Sequence, residues 1–167
     1  LTTAVRFQKY ENFDNSGTAD SSSDTYQLSF NSAPLSTLYP TLSLTRNERY
    51  IASEKDSVVD AWLLSIGSRL YKNTNMINDL GYTKTEDVSP NTTTSAYSWH
   101  GTVDSQITKK LTGNLNYGFD RSSNEDTSSD TENISLILNY QPGRFINISG
   151  NADFTKTEGD TTTFTED

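Results

Sequence analysis

A chain of 167 residues is long enough for one domain and short for two. Only 32% of it is apolar, the net charge is −9 and there is no cysteine. That excludes disulfides and thiolate metal sites, and it argues against nucleic acid, which needs basic patches.

Low hydrophobicity with net charge also fits a disordered chain. The aromatic residues, 11% of the total, argue otherwise because they fall at alternate positions. Strand side chains point to opposite faces with a period of two, so alternation marks a half-buried strand. Residues 3–13 read as a first strand, with Val5 and Phe7 on one parity and Arg6 and Gln8 on the other. Residues 14–24 hold nothing apolar larger than Ala and read as a loop. A second strand, 25–33, alternates Tyr26, Leu28 and Phe30 with Gln27, Ser29 and Asn31. Pro34 and Pro40 bracket a connection, because proline cannot donate to a ladder. A third strand starts at Thr41, with Leu42 and Leu44 opposing Ser43 and Thr45. Its charged upper part, 46–50, is expected to rise out of any membrane. A short acidic connection, 52–57, follows.

The fourth strand, 58–70, sets Trp62, Leu64, Ile66 and Leu70 against Ser65, Gly67 and Arg69. A tight turn at 71–73 leads to a fifth, 75–85, with Met76, Leu80 and Tyr82 against Asp79, Gly81 and Thr83. Beyond a loop at 86–93, the sixth strand, 94–107, alternates Tyr97, Trp99, Val103 and Ile107 with Ser98, His100, Thr102, Asp104 and Gln106. A turn at 108–110 gives the seventh, 111–121, where Leu115, Tyr117 and Phe119 oppose Asn114, Asn116 and Asp120. Residues 122–130 form another acidic loop. The last hairpin, 131–154, carries Ile134, Leu136, Leu138 and Tyr140 on one parity, with Ile137 breaking the polar one. After Pro142-Gly143, Ile146, Ile148, Ala152 and Phe154 alternate with Asn147, Ser149, Asn151 and Asp153. The tail, 158–167, reads as the start of a tenth strand.

Two regularities organise these strands. Apolar tripeptides such as Leu28-Ser29-Phe30, Trp62-Leu63-Leu64, Tyr97-Ser98-Trp99 and Leu136-Ile137-Leu138 recur roughly every 35 residues, each repeat holding two long strands rather than a propeller blade's four. Connections alternate as well. One set is short, with Pro, Lys, Arg or Asn; the other is longer and rich in Asp, Glu, Ser and Thr.

The repeated pattern of strand, acidic loop, strand and tight turn resembles the Gram-negative outer-membrane β-barrels, along nearly the whole chain. The resemblance implies an all-β fold: an antiparallel up-and-down transmembrane β-barrel built from hairpins. It places acidic loops outside the cell, turns in the periplasm, and outer-membrane lipid and lipopolysaccharide around the wall. Residues 1–167 would form a single barrel segment of about nine strands. Such barrels commonly end on an aromatic residue and have even strand numbers. This chain ends Phe164-Thr165-Glu166-Asp167 and starts at Leu1 without a signal peptide, so a mature or partial chain and a portion of a larger barrel are expected. No apolar run is long enough for a membrane-spanning helix, but barrel strands need only about 9–11 alternating residues.

If the sheet closes, the polar parity lines a lumen: Arg6, Gln8, Arg69, Asp79, His100, Asp104, Gln106, Asn114, Asn116, Asp120, Asn147 and Asp153. The apolar parity, from Val5 and Phe7 to Ile146 and Ile148, then faces lipid. The plainer reading makes the polar parity the solvent face of a soluble sheet. His100, the sole histidine, shares a face with Asp104, but no nucleophile stands beside them, so no enzyme activity, cofactor or metal is expected. Tyr10, Phe13, Tyr50, Tyr71, Tyr82, Phe119, Tyr140 and Phe154 lie toward strand ends, where aromatic girdles form. The acidic clusters lack calcium-loop spacing and read as solvated. The sequons at Asn91, Asn133 and Asn147 carry no function in a bacterial protein. The expected function is a passive pore, or a sleeve around a protein partner. The rival is an extracellular β-sandwich adhesion or surface module.

Overall fold

A computed structural model of the chain describes residues 2–12, 21–89, 91–125 and 127–161. Nine strands form: β1 (Thr2–Asn12), β2 (Ser21–Asn31), β3 (Leu38–Ile51), β4 (Glu54–Tyr71), β5 (Thr74–Asp87), β6 (Thr92–Thr108), β7 (Leu111–Ser123), β8 (Thr127–Gly143) and β9 (Ile146–Thr161). They pair in chain order, all antiparallel, in one sheet. The sheet is not closed: β1 and β9 are its two edges.

Strands this long form because apolar β-branched and aromatic residues suit a pleated surface and because the connections are minimal. At β3–β4 the turn residues Ala52 and Ser53 have φ of 50° and 68°. Two successive positive φ values match the right-handed twist of a hairpin. Asn91, in the β5–β6 turn, has φ 66°. The turn after Ser123 is closed by Asn124, whose Oδ1 accepts from the Thr127 backbone N–H at 2.7 Å.

Several expected boundaries move. Ser21 to Asp24 and Thr127 to Asp130, read as loop, belong to β2 and β8. The connection expected at 52–57 shrinks to its first two residues, the remainder entering β4. The loop at 86–93 loses both ends to β5 and β6. Residues 158–161, expected to open a tenth strand, continue β9. The cause is common to all: polar residues at every position give no alternation, yet the neighbouring strand's ladder carries them along. The β3–β4 connection, Ala52-Ser53, is therefore as short as the turns Lys72-Asn73 and Lys109-Lys110. Most of the stretch 14–24, the strand-end Phe13 and the terminal 162–167 lie outside the described residues.

There is no second layer among the described residues. Among the described residues the one buried apolar residue is Val58, 6% exposed.

Candidate functional site

Residues directly opposite each other in an antiparallel pair share a face. The register therefore assigns each side chain. One row runs Val5, Leu28, Leu44, Trp62, Tyr82 and Tyr97 across six strands. Parallel rows bring in Phe7 with Tyr26, then Phe30, Leu42, Leu64, Leu80, Trp99 and Phe119. Lower rows hold Ile66, then Tyr117, Ile134 and Phe154, and Met76, Val103, Leu115 and Leu136. Leu138, Tyr140, Ile146 and Ile148 complete this face on β8 and β9. Aromatic pairs knit it across strands: Phe7 and Tyr26 at 5.1 Å between centroids, Trp62 and Tyr82 at 6.2 Å, Tyr82 and Tyr97 at 4.7 Å, Trp99 and Tyr117 at 4.8 Å. Of the aromatic residues expected at strand ends, Tyr82, Phe119, Tyr140 and Phe154 edge this band. Tyr10 pairs with Ser23 on the other face.

The edges of the band run obliquely to the hydrogen-bonded rows. From Phe7 on β1 to Phe154 on β9, the upper edge descends about six residues over eight strand-to-strand steps. The lower edge, from Phe30 to Tyr140, descends about eight over six. With about 3.4 Å per residue and about 4.8 Å between strands, the two slopes are roughly 30° and 40°. A horizontal apolar belt across strands tilted by this amount would look the same.

The opposite face is polar and hydrogen-bonded. Arg6, Gln8, Arg69, Asp79, His100, Asp104, Gln106, Asn114, Asn116, Asp120, Asn147 and Asp153 all fall on it. Thr102 donates to Asn116 at 2.9 Å, Asn116 to Asn114 at 2.6 Å, and Asn114 to Asp104 at 2.6 Å. On β2 and β3, Asn47 donates to Thr25 at 2.7 Å and Gln27 to Ser43 at 3.3 Å. His100 does not meet Asp104, four residues on in its own strand. Its Nε2 lies 3.1 Å from Asp120 Oδ2 on β7, because adjacent strands stand closer than four residues of extended chain. Leu63, Ile77 and Ile137 are apolar exceptions on this face.

Above the apolar band its parity turns charged, a feature alternation alone does not flag. The signal is a five-residue pattern, apolar-x-basic-x-acidic, at Phe7 to Glu11, Leu44 to Glu48, Tyr82 to Glu86 and Phe154 to Glu158. On β7 the sequence is Phe119-x-Arg121-x-Ser123. Lys9 pairs with Glu11, Arg46 with Glu48, Lys84 with Glu86, and Lys156 with Glu158. Glu48 accepts from the Tyr50 hydroxyl at 2.8 Å, from Arg46 Nε at 3.0 Å and faces Lys55 Nζ at 3.2 Å. These donors, Tyr50 foremost, hold its carboxyl down to about 2.

The chain exposes 12103 Å². A compact monomer of 18.6 kDa would expose about 8,200 Å². An excess is what a single layer gives when nothing among the described residues packs over its apolar face. No helix is long and apolar enough to cross a membrane, which says nothing of strands. Compared with family models, curated proteins and solved structures, the chain matches none. Fold and faces together define a class: an all-β antiparallel meander, apolar on one side and hydrogen-bonded on the other.

Proposed function

We propose that this chain is part of the wall of a β-barrel in a bacterial outer membrane, acting as a pore or as a conduit that sleeves a protein partner. The oblique apolar band carries the reading. Barrel strands tilt by about 35–45° and bear an outward apolar band about 25 Å tall. On β9, Ile146 to Phe154 would rise about 22 Å along a barrel axis if the strands tilted by the slope of the band. A closed sheet satisfies every backbone group in hydrocarbon, and the face carrying Asn114, Asn116 and His100 would line an aqueous path. β1 and β9 run in the same direction, so closure through antiparallel pairs alone takes an odd number of further strands. The reading therefore includes strands beyond these nine in the finished wall. A sandwich module would need a second sheet over Trp62 and Leu136, and the described residues supply one sheet.

Planar-bilayer recording tests the pore. Discrete conductance steps are expected after insertion; a folded, inserted chain without conductance removes the open pore and leaves the sleeve. A chain that stays monodisperse in water without detergent removes both.

A further inference from the structure

The apolar face is uneven on β1–β5. Leu28 and Leu44, cross-strand partners, form the floor of a depression of about 540 Å³. Phe7 and Tyr26 stand on one side of it, Trp62 and Tyr82 on the other. At the charged end the depression is bounded by Arg46 and Asp60. Arg46 is half exposed. Its Nε bonds Glu48 and its Nη1 lies 3.3 Å from Asp60 Oδ2, so Nη2 carries neither bond.

Arg46 is one of a set. Lys9, Arg46, Lys84, Arg121 and Lys156 stand on β1, β3, β5, β7 and β9, each two residues beyond the last side chain that its strand gives to the apolar band. On four of these strands, all but β7, a carboxylate lies two residues farther out, about 7 Å away along the strand. Along β1, β3, β5 and β9 the order is thus apolar, cation, acid, while Asp60, Asp130 and Glu132 stand directly across from Arg46, Arg121 and Lys156 in the cations' own layer. An amphiphile whose phosphate lies just outside its acyl chains matches that order of apolar, positive, negative. A guanidinium suits phosphate because its fork of donors meets two oxygens.

Resting on the barrel reading, we infer that the depression over Leu28 and Leu44 is a docking site for one membrane lipid of net negative charge, with an acyl chain between the two aromatic walls and the headgroup phosphate on Arg46, uncompensated by a cationic headgroup. Leu44 lies between Leu28 and Trp62, so the floor is made by two leucines and the indole begins the wall.

Trp62 reports on the site directly. In the Trp99→Phe chain, inserted in phosphatidylcholine vesicles, Trp62 is the sole tryptophan. Brominated phosphatidylglycerol is expected to quench it at about fivefold lower mole fraction than brominated phosphatidylcholine, the preference one surface cation gives. Arg46→Gln should equalise the two lipids, and Arg46→Lys should retain much of the preference. Leu44→Phe, which keeps every charge and fills the floor, should also abolish it and serves if Arg46→Gln does not fold. Equal quenching by both lipids in the parent chain, or a preference that survives both Arg46→Gln and Leu44→Phe, overturns the lipid site and leaves the barrel standing. No quenching of Trp62 by either lipid overturns the barrel reading itself.

Discussion

On β6 and β7, Trp99 and Tyr117 touch edge to face on one side of the sheet. On the other side, Thr102 and Asn116 share a hydrogen bond. The two pairs are a few residues apart in the same two strands and obey different rules. The polar contacts are closed among protein groups and need no further partner. The aromatic contacts leave their outer surfaces bare, with Trp99 still 44% exposed. One face is finished by the sheet; the other has nothing packed over it among the described residues. That contrast teaches more about the protein than its strand count.

Placing the same charge on each face tests the contrast most severely. Leu136→Arg, in the middle of the apolar band, is expected to cost about 2–4 kcal/mol of stability in vesicles. Ser135→Arg, its neighbour on the polar face, should stay within about 0.5 kcal/mol. Urea unfolding of inserted protein measures both. Equal costs, or the reverse order, would break the assignment of faces.

A methyl group sharpens it. A Cβ on Gly118 would lie 2.1 Å from Asn133 Oδ1 and 3.0 Å from His100 Cδ2, whereas one on Gly150, on the apolar face, meets nothing within 4 Å. Gly118→Ala should cost about 1–3 kcal/mol by overpacking. Gly150→Ala should be neutral or stabilise by up to about 1 kcal/mol, since alanine has less freedom to lose.

The smallest effect is expected at the charged rim. Because the Glu48 carboxyl is held down to about 2 in the fold and titrates near its ordinary value when unfolded, it favours the folded state above about pH 4.5. That contribution is lost as pH falls from there toward about 2. Amide exchange in the β3–β4 hairpin should accelerate over this window, and Glu48→Gln should flatten the change. An unmodified chain with pH-independent exchange there would show that the three donors do not hold the charge.

The faces were legible in the chain because Val5, Phe7, Trp62, Leu64 and Leu136 sit at every second position, and a strand's geometry converts that into sidedness. Tight turns at Lys72-Asn73 and Lys109-Lys110 were legible for a similar reason, as breaks between two alternating runs. The upper parts of the strands were not: Ser21 to Asp24 and Thr127 to Asp130 alternate nothing, and only pairing with β1, β3, β7 and β9 extends them. Nor could the chain give His100 its partner, since Asp120 lies twenty residues away and becomes adjacent only through the β6–β7 register.

Alternation along a chain is a local property, so the sequence by itself determined which residues share a face and that one face is apolar. The slope of the apolar band, the basic residues along its rim and the groove at Leu44 are relations among strands. They exist only once eight registers are set, because each register fixes how far one strand slides along the next, and that sliding is what tilts the band.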